Sequence, residues 1–430
     1  ITLKNIYNGI DLELIGKQNE LKLNFIVSPG ADPTLIRLNY QGANALKLES
    51  DELHVKTDFG EIKEGKPLVF QEAGGNMREI KSAYRLNGNE LSYELGGYTS
   101  RLPLIIDPSI VFGTFIGSNA DNFGFSATYD AAGNAYGAGT VYAANFPVTA
   151  GAFDVSYSGA TTNEGFPRDV FICKFSSDGS NLLYATFLGG TGNEQPHSVT
   201  VNTSGELYVM GTTTSTDFPV SSNAFDTSHN GQYDIFIARF SSNGSSLLSS
   251  TYFGGSKDDG INGKTNISYA GQTNPLPYNY ADNFRSEIIC DALSNVYVAT
   301  CTHSSHTQGY PVLNGSQLTY GGGDQDGAYF KMNPTLTNLA FSSYLGGNGA
   351  DALYGLTLNW LNELYLVGGT TSSNLPTTFN NYRGGIDIIV GRYSSGTGAK
   401  QELSIYGTTG NEQGFFIQAG QVDKNYLYIL

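Results

Sequence analysis

A short pattern, in which an aromatic residue is followed by glycine, recurs five times and constrains the fold more than any other feature of this sequence. Its fullest copies are Tyr184–Gly190, Ser250–Gly255 and Ser342–Gly347, each followed by a turn with an acidic side chain. A shorter copy, Gly113–Gly117, opens the series, and a degenerate copy, Ser404–Gly407, closes it. Because repeated units must stack on one another to bury their apolar faces, such a repeat sets the fold class before local patterns do.

Three further signals accompany this pattern in a constant order. A turn leads into a tyrosine strand, an apolar residue precedes proline in a loop, and an aspartate leads an apolar run that ends in a basic residue. The copies in one unit are Gly205–Tyr208, Phe218–Pro219 and Asp234–Arg239. The tyrosine strands follow one another at 72, 89, 68 and 63 residues. This spacing indicates a unit of roughly 60 to 65 residues with loop insertions.

Each unit contains about four short strands in which apolar and polar positions alternate, separated by turns rich in glycine, asparagine and serine. No amphipathic helix of about ten residues is predicted after residue 108. Four antiparallel strands per unit without helices are typical of a β-propeller blade. A β-solenoid is the main alternative, but its repeats are much shorter. The sequence therefore predicts an all-β chain in which residues 109–430 form the four-stranded blades of a propeller.

The linked motifs of residues 109–430 resemble the SBBP repeat, a bacterial family of predicted seven-bladed propellers. The motifs that carry the resemblance are Gly-x-x-Tyr, Phe-Pro, Asp-x-Phe-x-x-Lys/Arg-Phe and Thr-Tyr/Phe-Leu-Gly-Gly. Members are typically large exported proteins, and many from Bacteroidota leave the cell through the type IX secretion system. Some are adhesins linked to gliding motility. The resemblance implies a secreted or cell-surface location at the outer membrane and the secretion translocon as a transient partner; it implies no catalytic residues.

The two ends of the repeat region contain only parts of a unit. The first copy, Ile110–Gly117, has the last strand alone, and Phe415–Leu430 has only the first two strands. Because propellers often close by letting one terminal strand complete the blade of the other end, we expect Ile110–Gly117 to belong to the final blade. About four full blades and two fragments are visible. We therefore expect the chain to be a piece of a longer protein that lacks C-terminal blades.

Residues 1–108 lack the propeller signals and alternate instead between apolar and charged positions, as in Leu21–Phe25 and Leu35–Tyr40. This alternation indicates antiparallel sheets with one solvated face. We expect a β-sandwich-like domain or a strongly curved sheet. The segments Tyr7–Leu12 and Ile105–Pro108 also resemble the domain that commonly precedes SBBP repeats.

The net charge of −16 is concentrated in the repeats. Residues 1–108 hold 12 basic and 15 acidic side chains, and residues 109–430 hold 11 and 24. An acidic surface repels phosphate backbones and anionic lipids, which argues against nucleic-acid binding. No apolar run approaches the length of a membrane span. The cysteines (Cys173, Cys290 and Cys301) have no metal or redox spacing, and we expect buried free thiols; a Cys290–Cys301 disulfide is the alternative.

Acidic and basic residues recur once per unit. The acids that follow the aromatic-glycine pattern are Asp121, Glu194, Asp258 or Asp259, Asp351 and Glu412, and the strand-leading aspartates are Asp169, Asp234, Asp326 and Asp387. A ring of carboxylates could hold calcium, but calcium needs six to eight oxygens close together, and one acid per blade spreads them apart. We expect turn caps instead. Lys174, Arg239, Lys331 and Arg392 are expected to form blade-bridging or solvated pairs rather than a ligand clamp.

Loops that break the repeat are the predicted positions of function, because added functions usually reside on loops. The largest insertion is Ser256–Phe284; Tyr157–Pro167 and His303–Tyr310 are shorter. Tyrosine-rich loops suit glycan or protein contact, although a loop that only packs on its neighbour is the alternative. The candidate ligand or partner residues are Tyr269, Tyr278, Tyr280, Asp282, His303 and His306. His303 and His306 lack a third ligand for zinc, and neither a metal nor a cofactor is expected.

The sequence therefore predicts a non-catalytic, exported or cell-surface propeller that serves interaction or adhesion. Two alternatives stay open. One is a polysaccharide hydrolase or lyase that uses the central funnel of the propeller, for which acidic, histidine or tyrosine residues should converge there at positions that break the repeat. The other is a lectin-like module that binds glycans without turnover.

Overall fold

The fold is described from a computed structural model of the chain. The described residues are 2–17, 20–40, 43, 45–49, 52–57, 60–73, 76–108, 116–118, 121–159, 168–177, 179–263, 282–379, 382–420 and 426–430. The chain divides into two compact units, residues 1–113 and 114–430. The described part contains β-strands and three short 3-10 helices, Pro33–Leu35, Asp282–Phe284 and His306–Gln308. No helix in this part of the chain has the length and apolar character needed to cross a membrane.

The described residues of the first unit form twelve strands. They are β1 (Thr2–Tyr7), β2 (Ile10–Lys17), β3 (Glu20–Val27), β4 (Leu38–Asn39), β5 (Ala45–Glu49), β6 (Glu52–Thr57), β7 (Gly60–Glu64), β8 (Pro67–Ala73), β9 (Asn76–Ile80), β10 (Ser82–Asn87), β11 (Glu90–Leu95) and β12 (Leu104–Pro108). They form a six-stranded sheet in the order β1-β2-β3-β12-β8-β9 and two three-stranded sheets, β10-β11-β4 and β5-β6-β7.

The sheets of the first unit pack through apolar side chains that alternate along the strands. Phe25, Val69 and Ile106 of the six-stranded sheet are buried, and Tyr93 and Leu95 of β11 pack against them. A second cluster joins strands β6, β10 and β11 through other buried residues. The alternation read from the sequence therefore places one face of each sheet in a core and leaves the other to solvent. This stacking agrees with the predicted sandwich-like domain.

In the second unit, the described residues form four antiparallel sheets of four strands and one of two strands. Blade 1 comprises β13 (Asn122–Tyr129), β14 (Ala135–Val141), β15 (Asp169–Phe175) and β16 (Leu182–Leu188); blade 2 comprises β17 (Glu194–Val201), β18 (Leu207–Thr213), β19 (Asp234–Phe240) and β20 (Leu247–Phe253). Blade 3 comprises β21 (Glu287–Cys290), β22 (Val296–Thr302), β23 (Asp326–Met332) and β24 (Leu339–Leu345); blade 4 comprises β25 (Asp351–Leu358), β26 (Glu363–Thr370), β27 (Asp387–Ser394) and β28 (Lys400–Tyr406). The fifth sheet pairs β29 (Ile417–Ala419) with β30 (Leu427–Ile429).

Consecutive blades contact each other through their first strands, which we call the inner strands. The apolar residue of each X-Pro motif is buried. In blade 2, for example, the ring centroids of Phe218 and Phe236 lie 4.6 Å apart. Buried residues of neighbouring blades form shared clusters, including Tyr208, Phe253 and Phe330 between blades 2 and 3. The all-β fold with four-stranded propeller blades is therefore confirmed.

Each sequence signal marks a defined strand. The aspartate-led runs are β15, β19, β23 and β27, and the aromatic-glycine pattern ends β16, β20, β24 and β28. The hairpin predicted around Ser294 pairs Cys290 with Val296, and all three cysteines are free thiols. Residues 110–115, expected to complete the final blade, lie outside the described residues. Their assignment to that blade stays a prediction.

A bulge interrupts the inner strands of three blades and requires glycine in the strand beside it. In blade 2 the register shifts between Pro196 and Ser198, opposite Gly211. A methyl group at Gly211 would overlap the carbonyl oxygen of Gln195. Blades 1 and 4 have glycine at the same position, whereas blade 3 has Thr300 and no recorded register shift. The glycine therefore recurs because the bulged backbone approaches it closely.

Candidate functional site

The recurring turn acids are buried and join two blades. Asp259 accepts hydrogen bonds from the backbone N–H of Gly255, at 2.6 Å, and from the hydroxyl groups of Thr302 and Ser304. Gly255 belongs to the last turn of blade 2, whereas Thr302 ends the second strand of blade 3. The carboxyl group therefore fastens the last turn of one blade to the second strand of the next.

The same arrangement recurs at two other blade junctions. In each, a carboxyl group accepts from one backbone N–H, one threonine hydroxyl and one serine hydroxyl: Glu194 from Gly190, Thr213 and Ser215, and Asp351 from Gly347, Thr370 and Ser372. Among the described residues, no group of three or more His, Cys, Asp or Glu side chains is arranged to hold a metal ion. The geometry supports the predicted role of these acids as turn caps.

The strand-leading aspartates lie beside the turn acids. Asp234 accepts a hydrogen bond from the N–H of Asn230 through Oδ2, at 2.7 Å, but its buried Oδ1 has no hydrogen-bond partner within the described structure. A methyl group on Gly254 would lie 2.8 Å from this Oδ1 and 2.9 Å from Oδ2 of Asp259. The carboxyl groups of Asp234 and Asp259 thus both lie beside Gly254, and any larger residue at position 254 would collide with them. The Oδ1 atoms of three equivalent aspartates share this state: Asp169, Asp326 and Asp387.

Burial raises the pKa values of these carboxyl groups. The pKa of Asp234 rises to about 8, because burial and the nearby Asp259 and Asp226 outweigh the hydrogen bond from Asn230. The pKa of Asp259 rises to about 7 through burial, although its three donors favour the charged form. We expect Asp234 to hold the proton of this pair, since one of its oxygens lacks a donor. Asp169 and Asp326 reach pKa values of about 7 and about 8 for the same main reason.

The recurring basic residues pair within their blades. Arg239 bonds Glu206 at 2.6 Å and also donates to the carbonyl oxygen of Pro334 in blade 3. The equivalent pairs are Lys174 with Asp130, Lys331 with Asp291 and Arg392 with Glu363. The acidic partners come from the first hairpin of the same blade. Lys174 and Lys331 also donate to a carbonyl of the following blade, which makes these pairs blade-bridging.

The predicted ligand loop is described only in part. Tyr269, Tyr278 and Tyr280 lie outside the described residues, and Asp282 is described only as the first residue of a 3-10 helix. The ring nitrogens of His303 lie 2.7 Å from the carbonyl oxygen of Asp324 and 3.1 Å from that of Ile261. His303 therefore ties two loops together.

His306 occupies a different environment from His303. It is exposed and begins the 3-10 helix His306–Gln308. Because His303 directs both ring nitrogens to backbone carbonyls, the two histidines do not share a site.

Two aromatic contacts involve the residues at which the long insertion leads into β21. The rings of His197 and Phe284 lie 5.8 Å apart, and the guanidinium carbon of Arg168 lies 5.8 Å from the Phe284 ring. The guanidinium carbon of Arg285, the next residue, lies 4.5 Å from the ring of Phe415. Phe284 therefore contacts residues of blades 1 and 2, whereas Arg285 contacts the segment between blade 4 and the fifth sheet.

Glu287 breaks the pattern of the inner strands. In blade 1, Ser126 accepts the N–H of Val199 from blade 2; Glu287 takes the same role toward Leu356 of blade 4, with an N···O distance of 2.6 Å. Burial raises the pKa of Glu287 to about 7. A carboxyl group thus stands where the repeat elsewhere has a small side chain.

Sequence reasoning selected the insertion loop but missed the residues at its end. Arg285 and Glu287 follow the last residue of the insertion, and Arg168 follows the second insertion directly. The signal that could have found them is their position where an insertion re-enters the repeat. The contacts of Arg168 with Phe284 and of Arg285 with Phe415 could not be read from the sequence, because the residues of each contact are far apart along the chain.

Comparison with known proteins gives a family for the first unit only. The search of curated proteins found no match. Among solved structures, a protein of unknown function from Dyadobacter fermentans is 11% identical, with a TM-score of 0.37 over 72% of this chain and 75% of that chain. The endosialidase of phage phi92 is 10% identical, with a TM-score of 0.34 over 99% and 71%.

A third structure is a β-xylosidase/α-arabinofuranosidase from a compost microbial metagenome. It is 10% identical, with a TM-score of 0.31 over 74% of this chain and 88% of that chain. TM-scores this low carry no functional information. Residues 1–109 match the family model described as a domain of unknown function, DUF7948. The chain therefore carries a DUF7948 domain at its N-terminus, followed by propeller blades whose resemblance to the SBBP repeat stays a prediction.

Proposed function

We propose that this chain is a non-catalytic binding scaffold, part of an exported or cell-surface protein. The contacts of the recurring charged residues support a scaffold. The turn acids and the ion pairs form hydrogen bonds within their own blade or with the next one, so these residues stabilise the fold. We therefore expect a partner to bind at positions where the blades differ from one another. Export, and a transient contact with the type IX secretion translocon or other outer-membrane proteins, rest on the family resemblance alone.

The observation that carries this proposal is a set of exposed apolar residues at the first hairpin of blades 3 and 4. Leu293 is 78% exposed, and Trp360 and Leu361 are 59% and 56% exposed. The same turns in blades 1 and 2 have small or polar residues: Ala131, Ala132, Thr203 and Ser204. Tryptophan is enriched at the centres of protein interfaces, whereas its exposure on a free surface is unfavourable. These tips form the proposed contact surface for a protein partner.

The test uses the tagged full chain as bait in the cell envelope and medium of the source bacterium, with mass spectrometry of crosslinked partners. We expect outer-membrane or surface proteins with the natural chain and their loss with a double variant, Trp360→Ala with Leu361→Ser. Leu248→Ser is the matched control, because Leu248 is exposed at a position on the fourth strand that recurs as Leu183. Equal recovery with the double variant would contradict a contact through the tips.

A saccharide-binding module is the second candidate, and Glu287 is the observation that favours it. It is the only acid of the described inner strands apart from the recurring Glu194 and Asp351. Most glycosidases use a pair of carboxyl groups at the scissile bond. A single inner carboxyl group therefore favours binding over hydrolysis. Release of reducing ends from a polysaccharide would support an enzyme instead.

A further inference from the structure

The face that blade 4 turns toward the fifth sheet is less buried than the same face of blades 1 to 3. In those three blades, two positions of the third and fourth strands are at most 3% exposed on this face: Ile172 and Leu188, Ile237 and Phe253, and Tyr329 and Leu345. Their equivalents in blade 4 are Val390 of β27, which is half-buried, and Tyr406 of β28, which is 51% exposed. Burial alternates along all of β27, so its face toward blade 3 is covered and the opposite face is covered only in part.

In the complete blades, the third strand of the next blade covers this face. Between blades 1 and 2, Phe236 of β19 lies in one buried cluster with Ile172 and Leu188. Between blades 2 and 3, the ring of Phe330 of β23 stacks on that of Phe253, with the ring centroids 3.9 Å apart. The fifth sheet has only β29 and β30 among the described residues, so no third strand covers blade 4 there.

One edge of β30 borders this partly covered face. Leu430, directly after β30, exchanges two backbone hydrogen bonds with β29, at N···O distances of 3.1 and 3.2 Å. Backbone groups alternate between the two edges of a strand, so the N–H and C=O groups of Leu427 and Ile429 point away from β29. No strand among the described residues pairs with that edge. Ile429 lies beside β27, since a methyl group on Gly414 would lie 3.3 Å from Cγ2 of Ile429 and 3.0 Å from Cγ2 of Ile388.

We propose that the edge of β30 and the adjoining face of blade 4 bind an extended segment of a partner protein, which becomes the third strand of the fifth sheet. The segment runs antiparallel to β30, exchanges backbone hydrogen bonds with Leu427 and Ile429, and covers Val390 and Tyr406 with apolar side chains. This inference rests on the proposed binding function and gives it a second surface, apart from the hairpin tips.

The complete blades define the chemistry of that segment. The residues with which the third strands of blades 2 and 3 face the preceding blade are all apolar: Phe236, Ala238, Phe240, Ala328, Phe330 and Met332. The partner segment therefore needs apolar residues at every second position. A second copy of this chain does not supply such a segment, because its own third strands are paired on both sides within their blades.

The test uses the full chain and a fluorescent peptide with the sequence of residues 233–241, which contains the third strand of blade 2. The control peptide carries Phe236→Ser and Phe240→Ser and has the same length and charge. Fluorescence anisotropy measures the affinity, and amide hydrogen exchange locates the binding site. We expect the first peptide to bind about tenfold or more tightly than the control, because the control lacks two large apolar side chains. Exchange at the amides of Leu427 and Ile429 should slow by about tenfold or more when the peptide is bound.

Two variants of the chain separate apolar cover from backbone pairing. Tyr406→Ser removes apolar surface beneath the added strand, and Leu427→Pro removes an N–H group that β29 does not use. Each should weaken peptide binding by about tenfold or more, and unchanged thermal unfolding establishes that the variants are folded. Leu248→Ser, at an exposed position on the fourth strand of blade 2, is the matched control and should leave the affinity within about twofold.

Several results would overturn the inference: no saturable binding at millimolar peptide, equal binding of the control peptide, unchanged affinity in both variants, or unchanged exchange at Leu427 and Ile429. It would also fall if these two amides exchanged as slowly in the peptide-free chain as the amides of β26, because the edge would then already be covered. Partner recovery through the Trp360 tips is measured separately. Failure of the peptide experiment alone therefore contradicts the strand site, whereas failure of both experiments contradicts the scaffold itself.

Discussion

The carboxyl pair of Asp234 and Asp259 should make the stability of the propeller fall as the pH rises. The pKa of Asp234 lies at about 8 in the folded chain, above its ordinary 3.8. A group with a raised folded pKa stabilises the fold fully below its unfolded pKa and loses this contribution as the pH rises through its folded pKa. The loss amounts to about 1.4 kcal/mol for each pH unit between these values. It reaches roughly 5 kcal/mol between pH 4 and 8 if Asp234 alone responds.

Asp234→Asn should remove this dependence without disturbing the packing. The amide oxygen can accept the N–H of Asn230, and the amide NH₂ takes the position of Oδ1, which accepts no hydrogen bond from the described residues. We expect the variant to match the natural chain near pH 4 and to exceed it at pH 9 by roughly 3–5 kcal/mol. Asp259→Asn should instead destabilise the fold by roughly 2–4 kcal/mol at all pH values, because the amide keeps only one of the two oxygens that accept hydrogen bonds from Gly255, Thr302 and Ser304.

Thermal unfolding of both variants and the natural chain, measured calorimetrically from pH 4 to pH 9, gives the difference curve. Asp121→Asn, at an exposed turn of the same unit, controls for the change in net charge. A constant difference in unfolding free energy between Asp234→Asn and the natural chain across this range would refute the assignment of the proton to Asp234. The assignment would also be refuted if Asp234→Asn destabilised the chain more at pH 9 than at pH 4.

Three further outcomes follow from the blades. Gly211→Ala should destabilise by about 2–4 kcal/mol, measured by chemical denaturation, because the methyl group overlaps the carbonyl oxygen of Gln195. A double-mutant cycle of Arg239→Met and Glu206→Gln should give a coupling in unfolding free energy of about 1 kcal/mol or more, because both side chains are largely buried. A coupling near zero would show that the pair contributes no more than an exposed ion pair. The Cys301 thiol, buried and with a raised pKa, should react with Ellman's reagent only after denaturation, and reaction in the native chain would show that blade 3 opens.

Much of the fold was predictable because its signals are local. Alternation along a strand reflects which face is buried, and the X-Pro and aspartate motifs recur at fixed places in each blade. Phe218 illustrates the limit of this reasoning: its position before proline placed it in a recurring loop, and the structure shows that its ring is buried. The role of the turn acids as caps was likewise predictable, because capping depends on nearby backbone groups. The threonine and serine hydroxyls that bond Asp259 were not, as they come from the second strand of the next blade.

Most residues of the candidate site could not be predicted from the sequence. The predicted site residues Tyr269, Tyr278 and Tyr280 lie outside the described residues, and the two ring nitrogens of His303 lie 2.7 Å and 3.1 Å from backbone carbonyl oxygens. Arg168 and Arg285 belong to different blades and carry no motif. Only the packing of the blades brings Arg168 to the ring of Phe284 and Arg285 to the ring of Phe415.

The sequence by itself determined the all-β class, the order of strands within each blade and the places where the repeat is broken. These properties follow from the period of the strands and from turn residues whose preferences act over a few positions. The tertiary structure alone decided which carboxyl groups share a glycine, which blade supplies each hydrogen-bond donor and which side chains meet around Phe284. Such contacts depend on how one blade packs on the next, and that packing is set by the summed burial of many side chains distant along the chain.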